Sequence, residues 1–325
     1  MRELLEQCLR EAPCEIDVRY DEPMAAHTTF KVGGTADVYI LPQVSGFSAF
    51  ARTLLHKARG SGVPVFFLGG GANIVVSDRG IRGIVLDMTS WKGMIAPSAY
   101  ADRSEVKFRS GTTMDEAAEC AASLGLTGLE FFAGMPGTVG GAAFMNARCY
   151  GSEVADVLAW TEIIRLERKI RKGEDGREQV IIFIEQTRIN RELFGYKTSP
   201  FQKLDCLITS ACFKLNSGDK DEILNEMKKN REDRKKKGHY LFPCAGSAFK
   251  NNHAFGKPTG QIIDELGLKG LQIGGAQIAP FHGNIIINTG NATAADIRSL
   301  ADEVIARVKA QTGFTLEPEI LFVGG

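Results

Sequence analysis

Residues 134–151 read GMPGTVGGAAFMNARCYG. Gly134, Gly137, Gly140, Gly141 and Pro136 fall within eight residues. An ordinary helix or strand does not carry glycine and proline at that density, so the stretch is expected to be a loop. Dense glycine lets a backbone close on a ligand and turn its N–H groups inward, which suits a diphosphate. A plain surface loop is the competing reading. A second loop of the same kind argues against it: the apolar run FFL at 66–68 reads as a strand, and GGGAN follows at 69–73. Neither loop matches GxGxxG or GxxxxGK[ST]. The pair therefore predicts a large diphosphate cofactor held outside a Rossmann or P-loop frame.

At 325 residues the chain can form two or three domains and bury a large core. Lys plus Arg number 39, as do Asp plus Glu, so the formal charge is zero. No basic excess points to nucleic acid or to an anionic membrane. The basic run Arg234 to Lys237 ends a mixed-charge helical stretch from Asp219, with acidic residues leading as the helix dipole favours. It reads as a solvated face or as a rim that attracts an anionic substrate. Leu4, Leu5, Cys8 and Leu9 fall at helical spacing among charges, which is not the apolar core of a signal peptide. No run of about 18 apolar residues would span a membrane, so a cytoplasmic location is expected. The seven cysteines are odd in number and form no CxxC pair, which fits reduced thiols. The five histidines, His253 and His282 among them, lack metal spacing, and no metal is expected.

Strands and helices alternate throughout. Strand-like runs lie at 37–42, 63–68, 84–88 and 106–110, with a helix over 45–58. A helix is expected over 113–124, with Thr112 or Thr113 as cap, Asp115 and Glu116 in its first turn, and Gly125 ending it. Strands at 160–166 and 179–185 flank a polar turn, 173–176, as in a hairpin. Asn216 to Asp219 suggests a boundary. Beyond it come a charged helix, a loop over 243–252, a helix over 259–266 and a strand over 284–288. Thr293 with Asp296 resembles a capping box opening a helix to about Gln311, which stops at Gly313, and the last strand is placed over 315–323.

The two loops lie in a longer series: TTFKVGG at 28–34, IVVSD at 74–78, FGYKTS at 194–199, AGSAFK at 245–250, IGGAQ at 273–277, NTGNATAAD at 288–296 and LEPE at 316–319. In that order they resemble the UDP-N-acetylenolpyruvoylglucosamine reductase family over nearly the whole length. Only fifty positions separate Lys197 from Ser247, which looks like the shorter class that lacks an inserted tyrosine loop. The resemblance implies an α+β chain: an FAD-binding fold of the vanillyl-alcohol-oxidase/PCMH type in two subdomains (1–90 and 91–216), plus a C-terminal α+β substrate-binding domain (217–325), whose last strand at 314–325 packs near the active site. It implies non-covalent FAD, with NADPH as reductant. The cofactor contacts would be Gly69, Gly70, Gly71, Asn73, Gly134, Pro136, Gly137, Thr138, Gly140, Gly141 and Asn146. It implies a UDP-sugar substrate met by Tyr196, Ser199, Lys250, Gln277 and Asn288, with Lys250 and Lys257 drawn to its phosphates. A monomer is expected. Each of these polar side chains also has a plainer reading, in which it satisfies local backbone.

The family reaction passes a hydride to an enolpyruvyl double bond, so negative charge builds on the conjugated carboxylate and needs fixed positive partners. A proton must then reach the neighbouring carbon. By the family pattern Ser247 donates it. Taken alone, Ser247 opens a loop or caps a turn. Glu319 matches the second catalytic position, and Glu317, two residues earlier, is expected on the same strand face. The third position is Lys197, where the family has Arg. Lys keeps the charge but loses the planar fork, a loss worth about 1–3 kcal/mol. Arg148, where the family usually has Gly, is either a compensating cation or a surface side chain. Cys149, where Ala is usual, is either a point of flavin attachment or an inert thiol. Ala72 replaces a common Ser, and Ala279-Pro280 replaces a Ser-x pair. Two rivals remain: an oxidase or dehydrogenase of the same fold acting on another substrate, and a non-catalytic flavin-binding paralogue.

Overall fold

The computed structural model describes residues 1–13, 15–42, 46–96, 104–169 and 179–325. By contact density the chain divides into two units. The first holds 1–20, 38–70 and 83–230; the second holds 21–37, 71–82 and 231–325.

In the first unit, side chains at helical spacing build one layer. Helix Arg2–Arg10 buries Leu4, Leu5 and Cys8, and helix Phe47–Gly60 buries Phe47, Phe50, Ala51, Leu54, Leu55 and Ala58. They share a core with Val38, Ile40, Ile84 and Leu86. Those four come from a sheet ordered Ile16–Pro23, Thr35–Pro42, Ile81–Asp87, Val65–Leu68, in which the last two strands run parallel. A second, antiparallel sheet is ordered Gln179–Arg188, Leu158–Lys169, Cys206–Lys214, Glu105–Arg109, Met94–Ile95. The expected hairpin strands pair from Trp160↔Arg188 to Lys169↔Gln179. The expected turn at 173–176 lies outside the described residues. Helix Met114–Ser123 covers this sheet. Thr113 caps it, its hydroxyl accepting from Glu116 N–H while the Glu116 carboxylate takes the Thr113 N–H.

Three expectations change. The glycine stretch is not loop throughout: Val139–Met145 is a helix that includes Gly140 and Gly141. Thr138 caps it, and Gly140 sits against Ser110, where a Cβ would come within 2.7 Å of the serine Cβ. Glycine serves close packing there rather than loop freedom. Next, Asn216–Ser217 does not separate two units. It pairs antiparallel with Leu126–Thr127, and the first unit continues to Asn230 within helix Lys220–Lys236. Finally, the last strand is shorter than expected, as described below.

The second unit centres on helix Ala294–Thr312, whose Ile297, Leu300, Ala301, Val304 and Val308 are buried. They pack with Phe249, Ile262, Ile263, Ile278 and Ile286. Its N-terminus is bound twice: Thr293 and Asp296 form the capping box, and the Asp78 carboxylate accepts from Ala294 and Ala295 N–H at 2.8 and 2.9 Å. The N–H groups of Thr293 and Gly275 hold the Asp296 carboxyl below its usual range. The sheet is antiparallel, ordered Cys244–Ser247, Ile285–Asn288, Ala276–Ile278, Gln272–Ile273. Leu321–Val323 pairs in parallel with Ile74–Val76. Before it, 315–320 forms only one bridge, Phe249↔Pro318. Pro318 sits at the non-hydrogen-bonded position of that bridge, and the flanking bonds run from Lys250 N–H to Glu317 O and from Glu319 N–H to Ala248 O.

His239 and His282 lie in the second unit with ring centroids 6.1 Å apart. Burial, with Arg234 and His282 adding, pushes His239 down to about 4, and burial also lowers His282. A histidine whose folded pKa lies below its unfolded value is held neutral by the fold, while the unfolded chain takes up a proton first. Its contribution is complete above the unfolded value of 6.5 and is lost as pH falls toward 4. Denaturant midpoints measured across that window should decline in the wild type and less in His239→Gln. Identical slopes in the two proteins would refute the assignment.

Candidate active site

In the first unit the two glycine loops meet backbone to backbone. The strand Val65–Leu68 delivers Gly69 and Gly70. A Cβ on Gly69 would lie 2.6 Å from Thr138 Oγ1, and one on Gly70 would lie 2.9 Å from Gly137 Cα. The glycine-rich loop is anchored from behind: Gly134 N–H donates to Asp115 Oδ1 at 2.8 Å, Val139 N–H to Thr112 O at 2.8 Å, and Gly140 N–H to Ser110 O at 2.8 Å. The amide N–H groups of Gly69, Gly70, Gly137 and Thr138 donate to no acceptor among the described residues. Four free amides on two abutting loops, with only the Thr138 side chain between them, suit a diphosphate. These residues fit the FAD expected from the sequence.

The loop is tied to the motif that carries Lys197. Asn146 ends helix Val139–Met145 in the left-handed region, at φ 45. It is fully buried; its amide donates to Gly195 O at 2.9 Å, and its Oδ1 accepts from Ala155 N–H at 3.0 Å. Gly195 and Thr198 exchange backbone bonds at 3.1 Å around a tight turn that places Lys197 at φ 58. A non-glycine residue persists there only when its surroundings impose the conformation. Two side chains do so: Ser199 Oγ donates to Phe144 O at 2.6 Å, and the Gln202 amide reaches both Phe144 O and Lys197 O. Arg148 stacks over Tyr196, its guanidinium carbon 5.7 Å from the ring centroid. Gln202 was not foreseen, since no motif or periodicity marks it.

The second unit holds Ser247 and Glu319. Ser247 ends the strand Cys244–Ser247, and Gly246 before it takes φ 71, with nothing within 4 Å of where its Cβ would be. Glu319 N–H donates to Ala248 O at 2.8 Å, and Lys250 N–H to Glu317 O at 2.9 Å. Ser247 and Glu319 thus stand on one framework. The expected common face for Glu317 and Glu319 is corrected: Glu319 is buried at 7% exposure, whereas the Glu317 side chain is 69% exposed. The single bridge at Pro318 does not impose the two-residue alternation of a strand. Glu317 instead pairs with Lys250 Nζ, and Lys257 pairs with Glu265.

Several polar residues expected at ligands serve the chain itself. The Asn73 amide donates to Glu319 O at 3.1 Å. Asn288 donates to Phe30 O at 3.0 Å and accepts from Gly290 and Ala292 N–H. The Gln277 amide reaches Gly270 O and Gln272 Oε1. Gly71 is in the left-handed region at φ 59, where the His27 carbonyl leaves no room for a Cβ.

A family model of an FAD binding domain matches residues 51–170. With the paired glycine loops, this makes the chain an FAD-binding oxidoreductase. A model of the UDP-N-acetylenolpyruvoylglucosamine reductase C-terminal domain matches residues 237–323. Proteins of that name are similar along almost the whole length. The one from Treponema denticola is 38% identical over 316 residues, 94% of each chain. The one from Caldanaerobacter subterraneus is 36% identical over 325 residues, covering 100% of this chain and 99% of its own. The crystal structure of the Thermus caldophilus reductase superposes with a TM-score of 0.67 at 30% identity, covering 95% of this chain and 99% of its own. The chain belongs to the UDP-N-acetylenolpyruvoylglucosamine reductase family.

Proposed function

We propose that this chain is an FAD-dependent reductase that uses NADPH to convert UDP-N-acetylglucosamine enolpyruvate into UDP-N-acetylmuramate, a step in peptidoglycan precursor synthesis. One observation carries the reading: an FAD-binding domain match over 51–170 and the reductase's own C-terminal-domain match over 237–323 occur in a chain that covers its relatives almost end to end. FAD, when bound, would supply the chemistry of hydride transfer between NADPH and the enolpyruvyl double bond. Gly69, Gly70, Gly137 and Thr138 would hold its diphosphate through their N–H groups.

The protein's own residues carry the remaining steps. Hydride arrival leaves a carbanion conjugated to the substrate carboxylate. The Lys197 ammonium would stabilise that charge as a point cation, where an Arg would offer two parallel donors. Ser247 would give its hydroxyl proton to the neighbouring carbon. A serine hydroxyl is a weak acid, but an enolate is a strong base, so the transfer is downhill once the charge has built up. Ser247 is half-buried rather than enclosed. Glu319 would orient the substrate end next to the developing enolate. In balance, the double bond gains one hydride and one proton, NADPH becomes NADP+, and solvent returns the proton to Ser247.

The test is NADPH oxidation by purified yellow protein with and without UDP-N-acetylglucosamine enolpyruvate. Substrate-dependent oxidation supports the reading. Flavin that NADPH reduces but this substrate never reoxidises would sink it. Rapid reoxidation by oxygen in that case would favour the oxidase rival.

A further inference from the structure

The strand carrying Ser247 is irregular on the N-terminal side of that residue, and on the other side its regular partner strand stops. Cys244 faces Ile287 and Ser247 faces Ile285, so three steps on one strand oppose two on its partner. The extra residue makes a bulge, and Gly246 absorbs it at φ 71. Bulges re-aim the side chains beside them. Beyond Ser247 the partner strand ends at Ile285. Pairing nevertheless continues through one residue, Asn284. Its carbonyl accepts from Ala248 N–H at 2.8 Å. Its side chain then brackets Phe249: Oδ1 accepts the Phe249 N–H at 2.9 Å, and Nδ2 donates to the Phe249 carbonyl at 2.8 Å. Asn284 is 3% exposed, so water does not compete for these bonds. On the opposite edge, Glu319 N–H and Glu317 O hold Ala248 and Lys250. No other side chain among the described residues bonds to the backbone of Ala248 or Phe249.

We propose that Asn284 is a positioning residue for proton transfer, its amide bracket on Phe249 fixing where the Ser247 hydroxyl sits. The proposal rests on the reading that Ser247 is the proton donor. A bulge with a glycine gives Ser247 freedom on its N-terminal side, so its placement depends on the clamp on its C-terminal side. Without the bracket, Phe249 keeps neither of its bonds to Asn284, and Ser247 shifts relative to the substrate carbon. Misplacement by about 1 Å is enough to slow a positioned reaction by roughly 100-fold.

The two half-reactions of FAD-loaded protein, followed separately in Asn284→Ala, Asn284→Asp and Ser247→Ala, test this. In Asn284→Ala, flavin reoxidation by the enolpyruvyl substrate should slow by about 10–100-fold. Reduction by NADPH and the substrate KM should hold, and the solvent deuterium isotope effect on reoxidation should rise as proton transfer becomes limiting. Asn284→Asp keeps the acceptor for Phe249 N–H but turns an oxygen toward the Phe249 carbonyl, so its defect should be smaller. In FAD-free protein, hydrogen exchange at the Phe249 amide should accelerate in the alanine variant. Wild-type reoxidation, an unchanged isotope effect or an unchanged exchange rate in Asn284→Ala would each overturn the proposal; if that variant does not fold, Asn284→Asp, which keeps the bond from Phe249 N–H, carries the reoxidation and isotope-effect measurements. If Ser247→Ala itself reoxidises at the wild-type rate, the role given to Ser247 fails, and the proposal with it.

Discussion

Replacing Ser247 with alanine should slow flavin reoxidation by the enolpyruvyl substrate by about 10²–10⁴-fold, the range a positioned proton donor supplies. The rate of flavin reduction by NADPH should be unchanged, because Ser247 has no part in that transfer. The fold should tolerate the change. Ser247 reaches its neighbours through backbone pairing with Ile285, which alanine preserves, and the bulge at Gly246 precedes it. Ser247→Cys should recover part of the rate, since a thiol at the same position is also a proton donor. The decisive comparison is the ratio of the two half-reaction rates in one preparation. A fall in both rates together would mean damaged flavin binding. A reoxidation rate within a few-fold of wild type would remove Ser247 from the mechanism.

The second large effect is expected at Gly70. Its φ lies outside the left-handed region, so alanine brings no backbone strain. The added methyl would lie 2.9 Å from Gly137 Cα and 3.3 Å from the Gly137 carbonyl carbon. These are main-chain atoms with no rotamer into which to retreat, so the two loops must part. Overpacking of this kind costs about 1–3 kcal/mol. Parting the loops would separate the Gly69 and Gly70 amides from those of Gly137 and Thr138, which weakens FAD binding by about 10–100-fold. Gly70→Ala should leave a gel-filtration column pale, and added FAD should restore its colour and activity with a raised half-saturation. Full retention of flavin would show that the apposed loops do not hold it. Gly71→Ala is a poorer probe, because its positive φ and the His27 carbonyl would strain the fold with or without cofactor.

Much of this was legible in the sequence because the signals are local. Helix caps depend on residues three apart, so Thr293 with Asp296 was readable as a capping box and forms one, and of the two candidate caps Thr112 and Thr113 the helix uses Thr113. The buried stripe of helix Phe47–Gly60 follows from its apolar spacing. The family follows from short motifs in a fixed order. What failed did so for non-local reasons. Gly140 and Gly141 looked like loop residues, yet they lie in a helix, and position 140 needs glycine because Ser110, thirty positions earlier, leaves no room for a Cβ. Glu317 and Glu319 looked like one face of a strand, yet one pairs with Lys250 at the surface and the other is buried.

The asparagines draw the same line. Asn73, Asn146 and Asn288 read equally well as ligand contacts or as backbone partners, and each bonds to main-chain groups of its own fold. Asn284 gave no signal at all, because its meaning lies in the register of Phe249, thirty-five positions earlier. The sequence by itself pointed to a diphosphate cofactor, and its ordered motifs, through their resemblance to a known family, to the flavin and to the residue types available for the chemistry, since short-range order carries all of these. Only the tertiary structure decided which glycines touch, which carboxylate is buried and which polar side chains are already engaged. Those are properties of distances between segments far apart in the chain, and no local pattern encodes them.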